Sequence, residues 1–114
     1  MMEQQINELM DSIKECLVMV ISESSEIAND FQLGNTGRAN QKLISYSEKM
    51  SCLLEAVVMV RSKNANVVAN FQIEELQKVL EEMLKAMMNK DYVLIADILE
   101  YEIKETLIDI QGKI

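Results

Sequence analysis

An apolar side chain recurs at steps of four and three residues along the first third of the chain, uninterrupted by proline or glycine. The stripe has one polar member, Ser24. It consists of Ile6, Met10, Ile13, Leu17, Val20, Ser24, Ile27 and Phe31. A β-strand would instead need alternation at every second residue. The spacing therefore predicts a long amphipathic helix that packs at a shallow angle against neighbouring helices.

A second stripe with the same spacing runs from Ala39 to Val60. The segment between the two stripes contains the first glycines of the chain. We expect Gly34 to end the first helix in the left-handed conformation, and Asn35 or Thr36 to cap the second helix. These features predict helices over residues 4–32 and 36–62.

The second half of the chain carries two further breaks. Residues 62–66 are polar and contain two asparagines, which favour turns, and Asp91 is suited to cap a helix N-terminus. The breaks predict helices over residues 67–89 and 91–111. Nothing in 62–66 forbids a continuous helix, however, and one long rod through this segment would force dimerisation to cover its apolar seam.

Four helices joined by short links pack most simply as an antiparallel (up-down-up-down) bundle. The chain has no proline and 3 glycines in 114 residues, so no segment has the composition of an interdomain linker. We therefore predict an all-α fold, an antiparallel four-helix bundle, with a single domain over residues 1–114.

The composition of the chain argues against several classes of function. There is no histidine, the commonest general base and metal ligand, and 2 cysteines fall short of the four nitrogen or sulfur ligands of a structural zinc site. A net charge of −8 disfavours nucleic acid and anionic membranes, both of which attract clustered Lys and Arg. We expect no catalytic residue, no cofactor, no metal, and neither a nucleic-acid nor a membrane partner.

The two cysteines and the N-terminus indicate a cytoplasmic protein. Cys16 and Cys52 lie in apolar stretches, which is more typical of buried thiols in a reducing cytosol than of a disulfide. Residues 1–11 contain acids but no Lys or Arg, unlike a secretory signal. The longest apolar run, 16–21, is much shorter than the roughly 20 residues that span a bilayer.

Each predicted helix has more apolar residues than its core stripe needs, and 9 methionines add to the surplus. Thioether side chains are flexible and can repack around different partners. A wider core is one interpretation, and an exposed groove that receives a partner's helix is the other. For the groove, we predict a binding surface formed by Met83, Met87, Val93, Leu94 and Ile98.

Two stretches of the sequence carry a resemblance to known families. Residues 37–43 (GRANQKL), which open the second helix after a short turn, resemble the helical-hairpin register of small bacterial flagellar export chaperones. Residues 89–103 (NKDYVLIADILEYEI) look like the last helix of small uncharacterised helical-bundle proteins of Gram-positive bacteria, some of them associated with motility loci. The resemblance implies a bundle that holds an unassembled, helix-forming protein segment on its apolar outer surface.

Together these observations predict a non-enzymatic module that binds a protein, most concretely an export chaperone or adaptor holding a helical segment of its partner. One alternative is a structural homodimer or larger assembly in which the surplus apolar stripe is the self-interface. A third interpretation is an enzyme or small-molecule binder with a pocket between helices.

Overall fold

The computed structural model describes residues 2–68 and 73–114, and all of its regular elements are helical. Helices α1 (Met2–Gln32) and α2 (Thr36–Lys63) are followed by a 3₁₀ turn (Ala65–Val68) and by α3 (Ile73–Met88). Then α4 (Tyr92–Asp97), a π-helical turn (Ile98–Ile103) and α5 (Lys104–Lys113) follow one another without a break and form a fourth helical rod. The predicted all-α class is confirmed. The predicted helix over 67–89 includes residues 69–72, which lie outside the described residues.

The turn between α1 and α2 closes as the sequence predicts. Gly34 has a φ of +80°. The amide of Asn35 donates to the carbonyl of Asp30 at 2.8 Å, and that of Gly34 donates to the carbonyl of Phe31 at 3.1 Å, the hydrogen bonds of a Schellman motif. Asn35 occupies the N-cap position of α2, although its side chain makes no capping hydrogen bond.

The turn between α3 and α4 uses the same motif with a residue poorly suited to it. Lys90 takes the left-handed conformation with a φ of +53°. The amide of Asp91 donates to the carbonyl of Ala86 at 2.9 Å, and that of Lys90 donates to the carbonyl of Met87 at 3.1 Å. The side chain of Asp91 then accepts from the amide of Leu94 at 3.2 Å, which confirms the predicted N-cap.

Helices α2 and α3 are separate. At Asn64 the backbone becomes extended, with a φ of −154°, and its amide still donates to the carbonyl of Val60 at 2.8 Å. The Asn64 side chain accepts from the amide of Asn66 at 3.2 Å, an Asx turn that competes with helical hydrogen bonding. The alternative of one long rod through 62–66 is therefore wrong for this structure.

Helix α1 packs against both α2 and the fourth rod, and its apolar stripe lies in the core. Residues late in α1 pair with residues early in α2, so these two helices run in opposite directions. Lys42 lies 2.8 Å from carboxylate oxygens of both Glu26 and Asp30, and Lys49 pairs with Glu23. Within the described ranges, no helix combines the length and apolarity needed to cross a membrane.

The spacing of the large buried side chains in the fourth rod explains its π-helical turn. Four of them, at steps of four residues, are almost completely buried: Ile95, Leu99, Ile103 and Leu107. In an α-helix such steps drift by about 40° each, because a turn holds about 3.6 residues. The turn widens instead, with the amide of Lys104 donating to the carbonyl of Leu99, five residues back. The widening keeps all four side chains on the core side.

Candidate functional site

A shallow apolar groove runs between α2 and α3. Its cavity has a volume of about 190 Å³. It is lined by Tyr46, Ser47, Met50, Ser51, Leu54, Leu80, Met83 and Leu84. Tyr46, Met50 and Met83 form the buried floor, whereas Leu54 and Leu80 are half-buried and Leu84 is exposed. The groove therefore offers apolar surface to a molecule that approaches from outside.

The depth of the groove comes from small residues on α2. Ser47 and Ser51 are one helical turn apart and lie where α2 faces α3, so no long side chain fills the space there. Leu53 and Val57 of the core stripe of α2 are buried in the centre of the bundle. Tyr46 and Met50 of the same stripe form the floor of the groove, and the small residues beside them leave it open.

The apolar surface continues along α2 beyond the groove. A second, open hollow of about 430 Å³ shares Leu54 with the groove and extends past Val58 and Met59 to Ser62. Val58 and Met59 are 45% and 50% exposed. From Ser47 to Ser62 the strip is about 22 Å long at roughly 1.5 Å per residue. We call this surface, from Ser47 to Ser62 on α2 together with Leu80 and Leu84 on α3, the α2–α3 groove.

The charged residue that lines the α2–α3 groove is Glu55, in its outer part. Among the residues that the structure describes, Glu55 takes part in no ion pair. The basic Arg61, at the end of the strip, is already paired with Glu74 of α3 at 3.4 Å. The Glu55 carboxylate can therefore meet a cation of a molecule that binds along the strip.

The structure does not bring the five predicted binding residues onto one surface. Met83 is 3% exposed and lies in the floor of the α2–α3 groove. Ile98, 2% exposed, lies with Leu94 in a different hollow, between α3 and the fourth rod. Met87 is half-buried against the core, and Val93 is 75% exposed at the start of α4. Met83 and Ile98 are thus core residues, because each side chain projects inward from its helix.

The sequence pattern shows that α2 and α3 carry more apolar residues than a core stripe needs. It does not show where the extra residues of the two helices come together. Leu54, Val58 and Leu84 lie beside the core stripe in the helical period, as a wider core would also require. Whether such a residue is buried depends on the distance between two helices, which no periodicity reports. The groove becomes visible only when α2 and α3 are placed in space.

A further hollow between α3 and the fourth rod is acidic rather than apolar. It has a volume of about 390 Å³, and Tyr101 of the π-helical turn lines it. Its carboxylates come from Glu75, Glu102, Glu105 and Asp109. No cluster of three or more of the described acids and cysteines has a geometry that would hold a metal ion. The hollow is a solvated charged surface.

The cysteines differ from the sequence-based expectation. Cys16 is half-buried and Cys52 is exposed, so the prediction that both thiols are core residues is wrong for Cys52. Burial is the main cause that raises the pKa of the Cys16 thiol, and the neighbouring Cys52 raises it further. Lys49 acts in the opposite direction. Cys16 is therefore held as a neutral thiol at pH 7.

Comparison with known proteins gives one match. A family described as a domain of unknown function, DUF8042, matches residues 8–113. No curated protein and no solved structure matches the chain.

Proposed function

We propose that this chain, which belongs to the DUF8042 family of unknown function, is a non-enzymatic module that holds an amphipathic helix of a partner protein in the α2–α3 groove. The observation that carries the proposal is the largely apolar strip of α2 from Ser47 to Ser62, whose first half, as far as Leu54, is faced by Leu80 and Leu84 of α3. Its length, about 22 Å at roughly 1.5 Å per residue, suits four turns of helix. Helix-in-groove recognition needs such a strip, with anchors entering between two fixed helices.

Glu55 and the acidic charge of the whole chain favour a partner helix with Lys or Arg beside its apolar face. Glu55 would meet such a cation at the edge of the interface, where opposite charges speed association and fix register. A second copy of this chain is a poorer occupant, because each copy carries a net charge of −8 and the two would repel one another.

We further propose an up-down-up-down bundle and a cytoplasmic role, both of which agree with a helix-binding groove. An up-down-up-down bundle leaves α2 and α3 as adjacent outer helices, which gives the groove its two walls. We propose a cytoplasmic export chaperone or adaptor as the most concrete role, in keeping with the resemblance to flagellar export chaperones. Such a protein needs a surface that is apolar enough to shield a helix and acidic enough to keep the complex soluble.

The test is a pair of matched leucine substitutions. Leu84→Glu places a charge in the groove wall, and Leu33→Glu places the same charge on a leucine of similar exposure in the turn that follows α1. Leu84 is 56% exposed and Leu33 is 67% exposed. A fluorescent amphipathic peptide of leucine and lysine, titrated by anisotropy, should bind the wild type and the Leu33→Glu variant alike. Its affinity for Leu84→Glu should fall at least about tenfold, or 1.4 kcal/mol.

Capture from the native lysate gives the same comparison for the natural partner. The wild type and Leu33→Glu should retain one stoichiometric protein that Leu84→Glu loses. Equal binding by all three proteins would contradict the proposal. If light scattering shows a discrete dimer of the free protein that Leu84→Glu dissociates, the groove is a self-interface and the structural homo-oligomer is the correct interpretation.

A further inference from the structure

The two cysteines of the chain lie on facing helices, and the register of α1 and α2 brings them together. The Sγ of Cys16 donates to the backbone carbonyl of Lys49 at 3.7 Å. Cys52 follows Lys49 by three residues, so it lies one turn further along the same side of α2. Along α2, Cys52 is therefore only about one turn away from the Lys49 carbonyl that the Cys16 thiol contacts.

The ion pairs of the same interface support this placement independently. Lys49 pairs with Glu23, which lies about two turns beyond Cys16 in α1, and Lys42 pairs with Glu26 and Asp30 further along α1. Because α1 and α2 run in opposite directions, positions earlier in α1 face positions later in α2. Continuing the register from Glu23 and Lys49 toward the start of α1 leads to Cys16 opposite the segment that contains Cys52.

The two thiols have different exposures. Cys52 is open to solvent, and Cys16 is half-buried between the helices. The interaction with Cys52 also raises the pKa of Cys16, as expected for two thiols that are neighbours. An exposed thiol beside a shielded one is the arrangement in which the first reacts with an external oxidant and the second resolves the product.

We propose that Cys16 and Cys52 form a redox-active pair that closes to an intramolecular disulfide and thereby links α1 to α2. The oxidant is a low-molecular-weight disulfide such as glutathione disulfide. The Cys52 thiolate attacks one of its sulfurs, forms a mixed disulfide and releases one glutathione thiolate. The neutral Cys16 thiol then loses its proton to water, and the resulting thiolate attacks the Sγ of Cys52 and releases the second glutathione. Two electrons pass from the protein thiols to glutathione disulfide, and the two thiol protons end on the glutathione products.

The test uses the reduced full-length chain incubated with glutathione disulfide and analysed by intact mass under non-reducing conditions. The wild type should end as a monomer lighter by two hydrogen atoms. Cys16→Ser should stop at a single glutathione adduct on Cys52, and Cys52→Ser should react much more slowly, because its remaining thiol is shielded. Peptide mapping of the oxidised wild type should recover the 16–52 cross-link, a readout that needs no variant.

Two results would overturn the proposal. One is a wild-type protein that accumulates the glutathione adduct on Cys52 and never loses the second glutathione. The other is a covalent dimer joined through Cys52 of two copies. Either result would mean that the sulfur atoms of one chain cannot meet. Both are distinguishable from the expected product by mass alone.

Discussion

The hydroxyl oxygens of Ser24 and Tyr46 lie 2.8 Å apart in the core between α1 and α2. The Ser24 hydroxyl donates to the carbonyl of Val20 at 2.7 Å, so its single proton is already used. Tyr46 must therefore be the donor to Ser24. Ser24, the one polar residue on the apolar stripe of α1, therefore accepts a hydrogen bond from Tyr46, which is completely buried.

This assignment predicts unequal effects for the two deletions. Ser24→Ala leaves the Tyr46 hydroxyl buried without an acceptor and should destabilise the fold by about 1–3 kcal/mol. Tyr46→Phe removes that hydroxyl and leaves Ser24 bonded to Val20, so it should cost only about 0.5–1.5 kcal/mol. The double variant should be less destabilised than the sum of the two. Urea unfolding of all four proteins measures the cycle, and strict additivity would show that the pair makes no hydrogen bond in solution.

Alkaline pH should weaken the fold through the same tyrosine and through Lys42. Burial raises the pKa of Tyr46 far above its ordinary value of 10.0, and hydrogen bonds to Asp30 and Glu26 raise the pKa of Lys42 above 10.5. In both cases the folded chain keeps a proton that the unfolded chain loses. Their contributions are therefore complete below pH 10 and decline as the pH rises above it, for Tyr46 by up to about 1.4 kcal/mol per pH unit.

The control for this pH dependence is Tyr46→Phe, which has no phenol to titrate. Its unfolding free energy, followed by urea titration between pH 9 and pH 11, should fall less steeply than that of the wild type. A difference between the two proteins that stays constant across this range would contradict a shifted Tyr46.

The sequence predicts the helices better than the surfaces between them. The cap at Asp91 and the left-handed Gly34 are local, since each depends on residues within one turn, and both are confirmed. The sequence predicts a binding face that includes Met83 and Ile98, yet both lie in the core. Their residue types suit either place, so the sequence does not distinguish the two. Exposure of such residues depends on how closely two helices approach, a property of the assembled fold.

Lys90 and Gly34 occupy equivalent positions in two Schellman turns, and this predicts opposite effects of substitution. Lys90→Gly removes a side chain from a left-handed residue and should stabilise the protein by about 0.5–1 kcal/mol, after the extra backbone entropy of glycine is counted. Gly34→Ala introduces the same strain and should destabilise it by about 1 kcal/mol. Thermal unfolding of both variants checks the pair, and a lower Tm for Lys90→Gly would contradict the turn assignment.

If Cys16 and Cys52 close to a disulfide, the oxidised protein should also unfold at a higher denaturant concentration than the reduced one. The cross-link would close a loop of 36 residues, which restricts the unfolded chain and corresponds to about 3–4 kcal/mol. The Cys16→Ser variant, treated with the same oxidant, should show no gain. An oxidised wild type of unchanged or lower stability would mean that the bond strains the helix pair.

The π-helical turn in the fourth rod makes a prediction about deleting a residue. Removing the exposed Tyr101 lets the turn close as ordinary α-helix. Downstream residues such as Leu107 then keep the face that they have now, because the wide turn holds one residue more than an α-turn. The deletion variant should retain its helicity and a cooperative melt by circular dichroism.

The matched control is deletion of Val18, which has the same exposed fraction of 59% but lies in a regular part of α1. That deletion rotates one half of α1 by about 100° relative to the other and so takes half of its apolar stripe out of the core. The loss of stability should exceed the roughly 5–15 kcal/mol that holds a domain folded. Equal loss of cooperative melting in both variants would show that the widened turn is not an inserted residue.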